Sequence, residues 1–255
     1  MDKALKSVLE WWDAAGVDVP DVTLAAPKRK APAHKTGRQL PPKKTARPAP
    51  QAAAQTPIIT IDAAPIAAKA KTLADLKSAM DKFDAGPLSD HARQCVFARG
   101  NPEADVMVIG EAPGRDEDIA GKPFIGPAGQ LLDKMLASIG LAEDTAYLTN
   151  VVNWRLPKNR NPTDEDIAIC RPFLTRHIEL AAPKVILLVG GVSMSAMTGL
   201  SGIMKNRGQW QTLTIAGKDI PALPIYHPAF LLRQPTLKKD AWRDLLALRE
   251  RLETL

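Results

Sequence analysis

A chain of 255 residues has room for one α/β domain of about 180 residues plus extra segments, and two cysteines, Cys95 and Cys170, are too few for a disulfide framework or a cysteine-only metal site. No apolar run is long enough to span a membrane and the N-terminus carries acids in place of a signal-peptide core, so a soluble, cytoplasmic protein is expected. The formal net charge of +6 suggests a polyanionic partner, yet Lys28, Arg29, Lys30, Lys35, Arg38, Lys43, Lys44 and Arg47 fall together without an acid among them; setting those eight aside from the 34 basic residues leaves 26 against 28 acidic.

Leu5, Val8, Leu9 and Trp12 recur at helical spacing, which predicts an amphipathic helix within residues 1–17. Residues 18–72 are dominated by Ala, Pro, Lys and Thr and read as a disordered basic linker, either an arm that holds DNA through its phosphates or a plain spacer. Globular patterning begins at Leu73 and defines a domain over 73–255.

Its first element is a helix over 73–83, followed by the apolar run Asp105–Gly110, a buried strand. Gln130–Ile139 is a helix ended by Gly140, and Ala146–Val152 a second strand. A helix over 163–180 opens at Thr163, with Asp166 three residues on as a capping-box variant, and leads to the strand Lys184–Val189. Ser193–Leu200 reads as helix and Ile220–Tyr226 as a fourth strand, placed at an edge by Pro221 and Pro224; Lys238–Leu252 closes the chain as a helix. This alternation implies an α/β fold, a three-layer α/β/α sandwich on a four-stranded parallel sheet.

Ligands bind such sheets beyond the carboxyl ends of the strands, so the residues there are the candidates. After the first strand, Gly110-Glu111-Ala112-Pro113-Gly114 makes a tight turn; Glu111, Glu117 and Asp118 bring carboxylates to the mouth, and Phe124 is either a stacking platform or a core ring. After the second, Asn150 offers an acceptor and two donors, suited to a base edge or simply to a turn, and Arg155, Lys158 and Arg160 suit phosphates. After the fourth, His227 is either a donor to a developing anion or a structural histidine, and Phe230-Leu231-Leu232-Arg233 is either core or a wedge for a gap in a base stack.

Taken in order, the blocks GEAPGRDEDIAGKPFIGPAGQLLDKML, TNVVNWRLPKNRNPT and YHPAFLLRQP closely resemble the uracil-DNA glycosylases of family four, over about Phe83 to Leu246. The resemblance implies excision of uracil from DNA at the start of base excision repair, with the nucleotide flipped out of the duplex. By position it makes Glu111 and His227 catalytic, puts Glu117, Phe124, Asn150 and His227 around uracil, and lets Leu231–Arg233 enter the duplex, with Lys205, Arg207 and Gly208 in a phosphate-contacting loop. Arg155, Lys158 and Arg160 join the DNA contacts.

That family normally holds a four-iron cluster through four cysteines. Here Phe83, Gly86 and Trp154 stand at three of those positions and only Cys170 remains, so no cofactor is expected and apolar repacking around Trp154 is favoured. The expected partner is uracil-containing DNA, bound by a monomer. The alternatives are a catalytically silent DNA-binding protein of the same fold and, more remotely, a phosphate-ester enzyme using Glu117 and Asp118 as a metal site.

Overall fold

The computed structural model describes residues 62–255. The expected N-terminal helix and most of the expected linker lie outside the described residues.

Strands β1 (Arg99–Gly100), β2 (Val106–Gly110), β3 (Ala146–Asn150), β4 (Val185–Val189), β5 (Gln211–Ile215) and β6 (Lys218–Ile225) form one sheet in the order β1-β3-β2-β4-β6-β5. The inner four are mutually parallel, as expected; β1 and β5 add an antiparallel strand at each edge, making six strands where four were read. Helices cover both faces. Met107, Ile109, Ile186 and Leu188 point into one core with Phe173 and Leu76. Val106, Val108, Leu187 and Val189 point into the other with Leu132, Met135 and Leu245. Burial on both sides explains why these strands read as unbroken apolar runs. No described helix is long and apolar enough to cross a membrane.

The helices Leu73–Asp81, Pro127–Ala137, Asp164–Ala181, Gly191–Thr198 and Lys238–Leu252 fall close to their expected places. Thr163 caps the third of these, and Asp166 completes a reciprocal capping box.

Two expectations are corrected. The strand β6 is internal, between β4 and β5. Its prolines are tolerated because each is paired on one side only: Pro221 with Thr212 of β5, before the β4 pairs begin at Ala222, and Pro224 with Leu188 of β4, beyond the last β5 pair at Ala222. The stretch read as linker also contains fold. Helix Ala64–Lys69 starts with Pro65 in its first turn and lies against the Asp164–Ala181 helix, burying Ala63, Ala67 and Ala70. Arg176 anchors it, donating to the Ala70 carbonyl through Nε at 3.0 Å and Nη2 at 2.7 Å. An Ala/Pro composition does not separate a tether from a short helix that packs through methyl groups.

One buried group sets a pH dependence. His177 is 1 % exposed, stacked on Phe97 at 4.2 Å between ring centroids and hydrogen-bonded through Nε2 to the Tyr147 hydroxyl at 2.9 Å. Burial lowers its pKa to about 3. The unfolded chain therefore takes up a proton near pH 6.5 that the folded chain refuses. The stabilisation is complete above that pH and is lost as pH falls toward 3, on the order of 5 kcal/mol in all. Denaturant unfolding at stepped pH should show this decline, and His177→Leu should flatten it; an equally steep decline in the variant would contradict the assignment.

Candidate active site

The carboxyl ends of the parallel strands open into a cavity of about 790 Å³. Glu111, Glu117, Phe124, Asn150, Arg160, His227 and Arg233 all line it, so residues far apart in sequence converge as expected.

Asn150 ends β3 beside Gly110, its register partner at the end of β2. A Cβ on Gly110 would stand 2.3 Å from Phe124 Cζ and 2.4 Å from Asn150 Oδ1, so only glycine lets ring and amide meet there. The Asn150 side chain is in a residue 3 % exposed and has no hydrogen-bond partner among the described residues. A buried amide without partners costs about 1–3 kcal/mol, and this one lines a cavity from which a ligand can satisfy it.

Phe124 is 6 % exposed and adopts a left-handed backbone, φ 56°. Beside it, Glu117 Oε1 accepts from the N–H groups of Ile125 at 3.1 Å and Gly126 at 2.9 Å. Glu117 sits in the first turn of the short helix Arg115–Ala120, where a carboxylate suits the helix dipole. Glu111 is half-buried, and burial raises its pKa, making it a stronger base.

His227 caps the helix Pro228–Arg233: its Nδ1 accepts from the Ala229 N–H at 3.2 Å. In the neutral ring the proton is then on Nε2, which is left to donate. Burial first, then the Arg233 charge, lowers its pKa to about 4 against an opposing pull from Glu117, so the ring is neutral at physiological pH. Gly190, φ 97°, leaves room behind it, with a built Cβ only 3.1 Å from His227 Cβ. The Phe124 and His227 rings lie 6.4 Å apart at 28°.

The flanking residues divide. Lys158, Lys205 and Arg233 are exposed and form no ion pair among the described residues. Arg155 donates to Asn159 Oδ1 at 2.9 Å and lies 4.0 Å from Asp118, whereas Arg160 pairs with Asp166 at 2.5 Å. Arg207 grips Asp244 with two nitrogens, donates to the Asp240 carbonyl at 2.7 Å and covers the Tyr226 ring, so its charge is already engaged.

The wedge is corrected. Leu231 is fully buried in the core, and of the two leucines only Leu232, 47 % exposed, stands on the surface. Asp118 is corrected as well. It is 2 % exposed and turned away from the mouth, accepting the Arg93 N–H at 2.7 Å, so it does not join Glu117 in a metal site.

At the cluster positions the side chains do not fit an iron–sulfur group. Phe83 packs edge-on to Phe173 at 4.9 Å and tilted to Trp154 at 6.2 Å; Trp154 is 3 % exposed and Cys170 fully buried. Burial pushes the Cys170 thiol up to about 12 and the Cys95 thiol higher still. Among the described residues no three Cys, His, Asp or Glu side chains gather to hold a metal.

Comparison with known proteins gives the family. The sequence model of the Uracil DNA glycosylase superfamily matches residues 97–246. The type-4 uracil-DNA glycosylase of Saccharolobus solfataricus is 37% identical over 193 residues, 69% of this chain and 88% of that protein. Those of Archaeoglobus fulgidus and Sulfurisphaera tokodaii are 39% and 40% identical, covering 59% and 61% of this chain and 78% and 73% of theirs. With more than half of its length matched, and with the cavity formed by the matched segment, the chain belongs to the uracil DNA glycosylase superfamily.

Proposed function

We propose that the protein is a uracil-DNA glycosylase that works without an iron–sulfur cluster, hydrolysing the bond between uracil and its deoxyribose in DNA. The observation that carries this reading is the buried, unpartnered Asn150 amide on the cavity wall. Uracil presents an N–H donor beside a carbonyl acceptor, and one amide answers both. The relatives from Saccharolobus solfataricus and Archaeoglobus fulgidus, both named type-4 uracil-DNA glycosylases, support the same chemistry.

The flipped base enters with its face on Phe124 and its polar edge on Asn150. As the glycosidic bond breaks, negative charge grows on uracil and positive charge on the sugar. The His227 Nε2 proton donates to uracil O2, so a neutral imidazole stabilises the anion without having to lose a proton first. Glu111 supplies the opposite sign at the sugar and orients the attacking water. Glu117 holds the turn that carries Phe124.

Arg233 at the cavity wall and Lys158 and Lys205 outside it meet phosphates, and Leu232 fills the vacancy left by the flipped nucleotide. Arg155, Arg160 and Arg207 hold the loops that present them. The Phe83 ring, packed against Trp154 and Phe173, takes the place of the cluster.

The test is product analysis on a uracil-containing oligonucleotide. Free uracil and an unbroken strand that alkali then cleaves are expected; tight binding with no free base would favour the silent DNA-binding protein.

A further inference from the structure

The cavity explains which groups face a base but not what holds its stacking ring in an unfavourable backbone conformation. A φ of 56° at a bulky residue persists only where its surroundings impose it. Three groups do so. Glu117 takes the two N–H groups that follow Phe124. The Pro127–Ala137 helix presses on it through Gly129, where a built Cβ would stand 1.9 Å from the Phe124 carbonyl oxygen.

The third is Arg99, the first residue of β1, which lies outside all three sequence blocks and does not line the cavity. Its side chain is 8 % exposed. Nε donates to the Pro123 carbonyl at 2.8 Å and Nη2 to the Phe124 carbonyl at 3.2 Å. The same guanidinium pairs with Asp133 on the Pro127–Ala137 helix and lies 4.0 Å from Glu143.

We propose that Arg99 is a positioning residue for base stacking: its guanidinium clamps the Pro123 and Phe124 carbonyls and thereby holds the Phe124 ring at the angle a flipped base needs. This role rests on the uracil reading above. Only arginine has the planar fork to reach two adjacent carbonyls and a carboxylate together; a lysine keeps the charge beside Asp133 but reaches one oxygen at a time.

The test is a double-mutant cycle of Arg99→Met and Phe124→Ala in the full chain, assayed well below the unfolding midpoint, with Arg99→Lys alongside. Arg99→Met is expected to lower kcat/KM about 10–100-fold, the size of effect that a misplacement near 1 Å produces. It should raise the inhibition constant of free uracil while leaving affinity for uracil-free duplex unchanged. Arg99→Lys should fall between, and it carries the test if the methionine variant does not fold. In the Phe124→Ala background the Arg99 change should cost nothing further, because the ring it positions is gone. Losses that multiply in the double variant, or a lowered Tm with kcat, KM and uracil inhibition all intact, would overturn the role of Arg99. Wild-type protein that releases no uracil would instead overturn the functional reading beneath it.

Discussion

Replacing Asn150 by aspartate is expected to slow uracil release by about 10²–10⁴-fold in single turnover, with the fold intact. The amide has no partner within the protein among the described residues, so nothing in the free enzyme depends on its N–H groups. An ionised carboxylate in its place offers acceptors only and leaves the uracil carbonyl facing like charge. It would also lie next to the Phe124 ring, where only Gly110 makes room for it. The effect should fall on the chemical step and on free-uracil inhibition more than on binding of uracil-free DNA. An unchanged release rate in a well-folded variant would remove Asn150 from the site.

His227→Ala is expected to cost about 10²–10³-fold, the usual loss for a single donor to a developing anion. The sign of its pH dependence follows from the lowered pKa. With folded pKa about 4, the ring is neutral and Nε2 donates throughout the physiological range, so His227 contributes no inflection near pH 6.5. Acidification below about pH 4 would protonate Nδ1, turn it from acceptor into donor, and break the cap on Ala229. His227→Gln retains an N–H donor and should recover part of the activity. A wild-type rate profile with a step near 6.5 that disappears in His227→Gln would show instead that the ring titrates as an acid or base.

How much of this was legible in the sequence depends on how local the determinants are. The strands β2 and β4 are short apolar runs because both faces are covered, β3 is buried throughout although it ends on Thr149 and Asn150, and the strand ends point to Glu111 and Asn150. The edges were not legible: β1 is two residues long, and β5 alternates weakly against solvent. Leu231 and Leu232 are neighbours of one chemistry. Their difference is the phase of a six-residue helix whose opening proline resembles a loop. Arg207 reads as a free cation until Asp244, 37 residues away, takes its charge, and Arg99 is silent for the same reason, its carbonyl partners being 24 and 25 residues distant. The helix Ala64–Lys69 was hidden by composition, since alanine and proline serve a spacer as readily as a capped turn packed through methyls. The cavity-lining residues were readable because several follow strand ends, whereas the residues that hold them there are distant in sequence.

The most direct measurement is strand cleavage after alkali of an end-labelled oligonucleotide with one uracil, in EDTA, by protein whose iron content has been assayed. Multiple turnovers by iron-free protein are the predicted result, with Phe83, Trp154 and Phe173 packed where the resemblance to family four would place a cluster. No cleavage by well-folded protein, or activity that rises in proportion to bound iron, would contradict the account.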